Sequence, residues 1–196
     1  MVMNRVFISM GSNIDSERNL REAVRRLALR CRLLAVSPVY ETAPVGRANQ
    51  VGRADEVGKA DEVGKADNFL NAAALIETDL TVAELKANVL QVIEQELGRV
   101  RTEAKYAPRP IDLDISLFND QVFDVGQRHI PDPEIAKYPH IAVPLADLAP
   151  DQRHPETGQT LGQIAQSMPT GEMVRRTDIV LWPESSVSTR KGEQNG

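Results

Sequence analysis

The spacing of apolar and polar residues predicts four strands and two helices before residue 120. Strands show short apolar runs or alternation, whereas helices repeat apolar residues at spacings of three and four. Thr81 and Glu84 have the spacing of a capping box, which opens the second helix, and Gly98 ends it. In chain order the elements are a strand at 2–9, a helix to about residue 33, strands at 36–42 and 69–77, a helix from 81 to 98, and a strand at 111–118. The apolar face of the second helix comprises Leu85, Val89, Val92 or Ile93, and Leu97.

The order strand, helix, strand, strand, helix, strand is that of the ferredoxin-like split βαβ plan. We therefore expect an α+β fold, a mainly antiparallel sheet with helices packed on it. Residues 1–182 are expected to form a single domain, because a chain of 196 residues seldom builds two cores. A short strand and a helix are predicted between Pro144 and Met168, and a disordered tail over 183–196.

Residues 45–68 contain four near-copies of a hexapeptide, from VGRANQ to VGKADN. A period of six suits neither helix nor strand pairing, and Gly, Ala and charged residues cannot bury a face. We interpret the segment as an exposed loop insertion within the domain, with a lid or partner-binding loop as the alternative. A phosphate-binding P-loop does not fit, because five residues separate Gly52 from Gly58 and Ala60 offers no hydroxyl.

Composition narrows the possible functions. The formal net charge of -5 argues against a general nucleic-acid binder. No apolar run reaches the roughly 18 residues of a membrane span, and the first ten residues do not have the pattern of a signal peptide, so a cytoplasmic protein is expected. The single cysteine, Cys31, rules out an internal disulfide and a zinc site built on several thiolates.

The candidate chemistry is concentrated between Arg99 and Asp114. Asp112 and Asp114 alternate with apolar residues, so both carboxylates point to one face of the strand, roughly 6–7 Å apart at Cα. Mg²⁺ is commonly held by one or two carboxylates together with substrate phosphates. Four cationic residues precede the pair: Arg99, Arg101, Lys105 and Arg109. Phosphoryl transfer needs cations converging in this way, whereas a solvated strand face with surface salt bridges is the alternative.

The segment R-V-R-T-E-A-K-Y-A-P-R-P-I-D-L-D-I closely resembles the signature of the 6-hydroxymethyl-7,8-dihydropterin pyrophosphokinase family of folate biosynthesis. F-I-S-M-G-S-N, S-P-V-Y-E-T-A-P-V-G, N-F-L-N-A and V-P-L-A-D-L-A-P resemble other family segments, in family order, over residues 6–150. The resemblance implies the ferredoxin-like fold and the transfer of pyrophosphate from ATP to the pterin hydroxymethyl group, giving the pterin diphosphate and AMP. ATP and the pterin alcohol would be the partners, with no nucleic acid and no membrane.

The resemblance also implies a site, residue by residue. Asp112 and Asp114 would bind two Mg²⁺ ions that bridge the ATP phosphates, and would act in catalysis with Arg99 and Arg109. The ATP site would comprise Gln91, Glu94, Arg99, Arg101, Arg109 and Ile115. The pterin site would comprise Thr42, Ala43, Val45, Phe69, Asn71, Tyr106 and His140. Phe69 would stack on the heterocycle and Asn71 would hydrogen-bond it; core packing and a strand-end cap are the structural alternatives.

Departures from the family pattern follow the catalytic strand. Asp132 stands where a His is usual, Tyr138 where an Arg is common, and His140 where an aromatic residue usually covers the pterin. Arg128 and His129 could supply displaced cationic contacts. A second hypothesis is therefore a catalytically impaired paralogue that binds pterin or nucleotide. A third, a nucleic-acid-binding module of the same fold, is disfavoured because only 4% of residues are aromatic.

Overall fold

A computed structural model describes residues 3–43, 68–99, 109–126, 128–171 and 173–182. The strands are β1 (Asn4–Ser12), β2 (Arg32–Val36), β3 (Val39–Thr42), β4 (Phe69–Thr78), β5 (Asp112–Phe118), β6 (Phe123–Val125), β7 (Arg128–Ile130) and β8 (Val174–Arg176). The α-helices are α1 (Ser16–Arg30), α2 (Val82–Glu84), α3 (Gln91–Glu96), α4 (Pro139–Leu148) and α5 (Leu161–Gln166), and a π-helical segment (Leu85–Leu90) joins α2 to α3.

The main sheet has the strand order β5-β1-β4-β3-β8, and β2 also pairs with β4. β4 runs antiparallel to β1 on one side and to β2 and β3 on the other. β1 is therefore parallel to β2 and β3 with one strand between them, which is the split βαβ arrangement. The predicted ferredoxin-like α+β fold is confirmed.

Helices cover both faces of the sheet. Residues of β1 alternate between two cores: Val6, Ile8 and Met10 belong to one that includes α1 and the helical run after β4, whereas Phe7 belongs to one that includes α4 and α5. This alternation follows from the two-residue period of a strand. Two-sided burial explains why the central strands read as nearly continuous apolar runs.

The helical run after β4 is less regular than its sequence predicted. Thr81 and Glu84 form the expected capping box, and Gly98 adopts φ +84, the left-handed conformation that commonly ends a helix. The backbone N–H of Gln91 donates to the carbonyl of Lys86, five residues back, which marks the π turn.

Two predicted boundaries were wrong. The first helix ends at Arg30 instead of continuing to about residue 33, and the chain is already extended from Arg32. The strand predicted at 36–42 covers only the last residue of β2 and all of β3, which are separated at Ser37 and Pro38. Ser37 exchanges hydrogen bonds of 2.9 and 2.8 Å with the backbone of Ala73, and Pro38 has no N–H to continue the ladder.

The region after β5 also differs from its prediction. The short strand predicted beyond Pro144 is replaced by α4, which starts with Pro139 at its first turn and contains Pro144. Only an isolated bridge between Arg153 and Thr160 has strand character there. The predicted helix is present as α5, whereas the β6–β7 hairpin and β8 were not predicted.

Two expected segments, the hexapeptide repeats before residue 68 and the tail over 183–196, lie outside the described residues, so the domain limits stay predictions. Among the helices that are described, none is long and apolar enough to cross a membrane.

Candidate active site

Two clefts meet beside the exposed edge of β5. The first encloses about 210 Å³ between the ends of β1, β3, β4 and the start of α4. The second encloses about 700 Å³ between the π-helical segment and the β6–β7 hairpin. Asp114, Asp132 and Glu134 line both clefts. A molecule in each cleft would therefore meet its neighbour at these carboxylates.

Asp112 is placed by the strand that carries it. It lies at the start of β5 opposite Gly11 of β1, and Leu113, the next residue, is buried in the core. The Asp112 carboxylate accepts hydrogen bonds from Arg99 on Oδ1 and from Arg109 on Oδ2. Of the four cationic residues predicted to converge beside the aspartate pair, Arg99 and Arg109 are described, and they engage both oxygens of the Asp112 carboxylate.

Asp114 is placed two residues further along the same face, opposite Ser9 of β1. Its Oδ1 accepts a hydrogen bond of 3.0 Å from the Lys86 ammonium and another from the Arg128 guanidinium. Burial alone would raise the pKa of this carboxyl, but the charges of Lys86 and Arg128 lower it to about 2. Asp114 is therefore ionised throughout the neutral range and is available as an anionic ligand.

Glu94 fixes the position of Arg99. Its side chain is 2% exposed, and its Oε1 accepts hydrogen bonds from Arg99, at 2.6 Å, and from the backbone N–H of Leu113, at 2.9 Å. Glu94 was predicted to bind the nucleotide, but it is located behind the site, where it joins α3 to β5 and orients Arg99. Gln91 and Ile115, the other predicted nucleotide contacts on these elements, line the second cleft.

The turn after β1 holds Arg109 at the site. The backbone N–H of Arg109 donates to Asn13 Oδ1 at 2.7 Å, and the Asn13 N–H donates to the Arg109 carbonyl at 3.2 Å. Ser12 Oγ donates to the Pro110 carbonyl at 2.5 Å. The Gly-Ser-Asn segment was predicted only as a turn. Its hydrogen bonds to a loop nearly a hundred residues later in the chain leave no local pattern in the sequence.

Four predicted pterin contacts line the first cleft together: Thr42, Ala43, Phe69 and Asn71. Asn71 is buried, and its Nδ2 donates to Thr42 Oγ1 at 2.9 Å. A β-carbon added to Gly11 would lie 3.5 Å from Asn71 Oδ1 and 4.0 Å from the Phe69 ring. Glycine at this position therefore leaves the space between the amide and the ring open.

His140 also lines the first cleft, but its ring is already stacked on another ring. The His140 and Tyr138 rings lie 5.3 Å apart between centroids, with 27° between their planes. Burial lowers the pKa of His140, so the imidazole is neutral at pH 7. The pair forms an uncharged aromatic wall at the start of α4.

Asp132, Arg128 and His129 also lie in the region that departs from the family pattern, and each has its own contacts. The Asp132 backbone N–H donates to the Ser116 carbonyl at 2.9 Å, and its Oδ1 accepts from the Glu134 N–H at 2.8 Å. Burial raises the pKa of Asp132. Arg128 donates to Asp114, which lines both clefts, whereas His129 contacts Asp124 and Glu156, outside the junction.

Three predicted site residues, Val45, Arg101 and Tyr106, lie outside the described residues. Two residues that were not predicted belong to the site: Lys86 at Asp114, and Glu134, which lines both clefts. Their only sequence signal is the presence of charged residues near predicted site elements, which is too common to be diagnostic.

The carboxylate pair fits a magnesium site of the kind that substrate completes. Within the ranges that the structure describes, no group of three or more His, Cys, Asp or Glu residues could hold a metal ion. Asp112 and Asp114 nevertheless share one strand face at the junction of the clefts. Mg²⁺ is usually bound by one or two carboxylates and the phosphates of a substrate, so two oxygen ligands from the protein are sufficient.

A family model described as "7,8-dihydro-6-hydroxymethylpterin-pyrophosphokinase (HPPK)" matches residues 7–150. The 2-amino-4-hydroxy-6-hydroxymethyldihydropteridine pyrophosphokinase of Pseudomonas aeruginosa is 34% identical over 172 residues, which cover 86% of this chain and 94% of the relative. The Bacillus subtilis protein with the same name is 37% identical over 148 residues, which cover 74% of this chain and 78% of the relative.

Solved structures of larger proteins share the fold. An HPPK-DHPS in complex with substrates matches with a TM-score of 0.60 at 14% identity, over 85% of this chain and 43% of that chain. Wild-type HPPK-DHPS of Plasmodium falciparum matches with a TM-score of 0.60 at 16% identity, over 84% of this chain and 44% of that chain. The present chain thus spans less than half the length of these structures, and at such identities the likeness concerns the fold alone.

Proposed function

The chain belongs to the 7,8-dihydro-6-hydroxymethylpterin-pyrophosphokinase family, and from this membership we propose its reaction. It transfers pyrophosphate from ATP to the hydroxymethyl oxygen of 6-hydroxymethyl-7,8-dihydropterin in folate biosynthesis, and it releases AMP. The observation that carries the proposal is the junction of two clefts at Asp114, beside a carboxylate pair contacted by four cationic side chains. Phosphoryl transfer depends mainly on positioning and charge neutralisation, which such a junction can supply.

The pterin is assigned to the first cleft. The buried Asn71 amide donates from Nδ2 to the Tyr40 carbonyl and to Thr42 Oγ1, so its Oδ1 is the atom that would accept a hydrogen bond from the edge of a heterocycle. Phe69 offers an aromatic face for stacking. Tyr138 and His140 provide a neutral aromatic wall on another side of the same space. Asp112 also lines this cleft, so its carboxylate is the group that would accept a hydrogen bond from the attacking hydroxyl and orient it.

ATP is assigned to the second and larger cleft, which Gln91, Ile115, Lys86 and Arg128 line. Its phosphates would extend from there to the junction. Arg99 and Arg109 would hold them, since guanidinium groups bind phosphate oxygens through paired hydrogen bonds. The proposed cytoplasmic location agrees with this substrate, but it stays a prediction.

Asp112 and Asp114 would hold Mg²⁺, for which two ions are expected from the family resemblance. When bound, Mg²⁺ would neutralise charge on the phosphate oxygens. The protein's own part would be an exchange of partners: Arg99 and Arg109 pair with Asp112, and the phosphates of bound ATP would replace the carboxylate as their partners. Glu94 would keep Arg99 beside Asp112 during this exchange, because its buried carboxylate accepts a hydrogen bond from the guanidinium and lines neither of the two clefts.

The deciding experiment is AMP release from purified protein given ATP, Mg²⁺ and 6-hydroxymethyl-7,8-dihydropterin, followed by chromatography. AMP is expected only when all three are present, and each is omitted in turn as a control. AMP formed equally well without the pterin would overturn the proposed acceptor. A folded protein that binds the pterin but forms no AMP would instead support the impaired paralogue, in which turnover is lost through the departures from the family pattern at Asp132 and Tyr138.

A further inference from the structure

Lys86 was not predicted as a site residue, yet it contacts Asp114, a proposed Mg²⁺ ligand, and lines the cleft assigned to ATP. Its ammonium donates to the Leu113 carbonyl at 2.5 Å and to Asp114 Oδ1 at 3.0 Å. It also lies 3.8 Å from Glu94 Oε1. The Lys86 side chain is 13% exposed, whereas that of Arg128, the other cation on Asp114, is 54% exposed. Lys86 is therefore fixed to β5 at two points, and Arg128 is held at one point and faces solvent.

The π turn brings Lys86 to this position. A π turn is closed by a hydrogen bond between residues five apart, which brings them towards the same side of the helix, whereas in a regular α-helix such residues lie about 140° apart around the axis. Lys86 and Gln91 are five residues apart and joined by a backbone hydrogen bond, and both face the second cleft. A regular helix would rotate one of them away from it. Single π turns frequently occur at functional sites.

Lys86 and Arg128 both contact Oδ1 of Asp114. When phosphates enter the second cleft, the exposed Arg128 can turn towards them. Lys86 has no comparable freedom, because moving its ammonium would leave the Leu113 carbonyl and the carboxylate without their shared donor in a mostly buried place. A positive charge therefore stays on Oδ1 whether or not nucleotide is bound.

We propose that Lys86 is a positioning residue that holds Oδ1 of Asp114 and lowers the affinity of the free protein for divalent cations. This proposal rests on the proposed function. Asp114 then offers Mg²⁺ its other oxygen, and a divalent ion close to the ammonium is repelled. The metal binds well only together with nucleotide phosphates, which supply the missing negative charge. Lys86 thereby favours the binding of metal and nucleotide as one complex.

The test is a titration of the full-length protein with Mn²⁺, followed by electron paramagnetic resonance, without nucleotide and with a non-hydrolysable ATP analogue. Lys86→Met removes the ammonium and keeps a side chain of similar length. Without nucleotide, it is expected to bind Mn²⁺ roughly tenfold more tightly than the wild type, because the repulsion is gone. The difference is expected to shrink when the analogue supplies its phosphates.

Lys137→Met is the matched control, because this substitution removes the same charge from an exposed side chain in the same region. Its Mn²⁺ affinity is expected to equal that of the wild type. Lys86→Gln, which keeps a donor for the Leu113 carbonyl, is a second neutral variant in case Lys86→Met unfolds, and thermal melting checks both. A folded neutral variant with unchanged Mn²⁺ affinity overturns the role of Lys86. Absence of Mn²⁺ binding by the wild type even with the analogue overturns the metal assignment in the proposed function itself.

Discussion

At the scale of single residues, Asp114 connects charge, stability and the proposed chemistry. Asp114→Asn keeps the size of the side chain but removes the charge that Lys86 and Arg128 contact. We expect turnover to fall by roughly 100-fold or more, because an anionic ligand is lost from the reacting centre. Stability should fall by about 1–3 kcal/mol, since a mostly buried ammonium loses its ionic partner. AMP release and urea denaturation measure the two effects.

The acid limb of the stability curve provides a second measurement on the same variant. The folded-state pKa of Asp114 is about 2, below the value of about 3.9 for an unperturbed Asp. Its contribution is therefore complete above about pH 4 and is lost as the pH falls towards 2. Asp114→Asn should have a flatter acid limb than the wild type. Asp151→Asn, at an exposed position, is the control; equal activity in the two variants would contradict the assignment of Asp114.

The central site residues were predictable because strand geometry is simple. The alternation in β5 predicts that Asp112 and Asp114 share a face, and the structure places Arg99 and Arg109 on the first of them. Lys86 was missed because a lysine in a helix usually belongs to its solvated face. The one sign of irregularity in the sequence was that either Val92 or Ile93 could continue the apolar face of this helix. The ambiguity arises from the π turn, which inserts one extra residue into a helical turn and shifts the apolar positions after it by one residue.

At the scale of elements, the β6–β7 hairpin is joined to the loop before α5 through His129. The imidazole lies 2.7 Å from Asp124 on Nδ1 and 3.0 Å from Glu156 on Nε2. Hydrogen bonds to Asp124 and then to Glu156 raise the pKa of His129 above its ordinary value. Because only the protonated ring donates from both nitrogens, the hairpin is held most firmly in the charged state.

We therefore predict that His129→Gln weakens the pH dependence of stability. A raised folded-state pKa means that the stabilisation is complete below about pH 6.5 and is lost as the pH rises through the folded-state value. The wild type should lose more thermal stability than the variant between pH 6 and 8.5. Melting curves across this range test it. His140 and His154 are present in both proteins, so the difference isolates His129, and parallel curves would contradict the prediction.

Prolines lie at two of the mispredicted elements, the strand expected at 36–42 and the strand expected beyond Pro144. Pro38 interrupts a run that otherwise reads as one strand, because Ser37 replaces ladder hydrogen bonds with its own. Pro139 is suited to the first turn of a helix, whereas Pro144, within the same segment, is a residue that is disfavoured in a helix interior. The burial of Ile141, Ala142 and Leu145 shows the helical period, which is too short a repeat to outweigh Pro144 in the sequence.

At the scale of the whole molecule, the order of the elements was sufficient to predict the split βαβ core of the sheet, but neither its edge strand β8 nor the second layer of helices. The first four strands and two helices alternate clearly enough to identify the split βαβ plan. The cover formed by α4 and α5 depends on Phe7, Leu75 and Leu117 facing away from the first core. Strands buried on both faces do not reveal in their sequence what covers each face.

The connection between β3 and β4 begins and ends at neighbouring points of the sheet. Thr42, the last residue of β3, is the register partner of Phe69, the first residue of β4. The hexapeptide repeats lie between these two residues in the sequence. A connection whose ends are already paired can vary in length without altering the sheet, because the cost of closing a loop grows only slowly with its length.

Deletion of residues 51–62, two whole repeats, tests whether this connection does more than join the strands. The deletion roughly halves the length of the connection. If the insertion is merely tolerated, the free energy of unfolding should rise by about 0.6 kcal/mol. The KM for the pterin should stay within about threefold of the wild-type value. A full-length variant with residues 51–62 in shuffled order separates the effect of length from that of sequence. Thr42 and Ala43, which lead into the connection, line the first cleft, so a lid formed from the repeats would act on the pterin. A large rise in the pterin KM with an unchanged KM for ATP would therefore reject simple tolerance and identify the repeats as part of the pterin site.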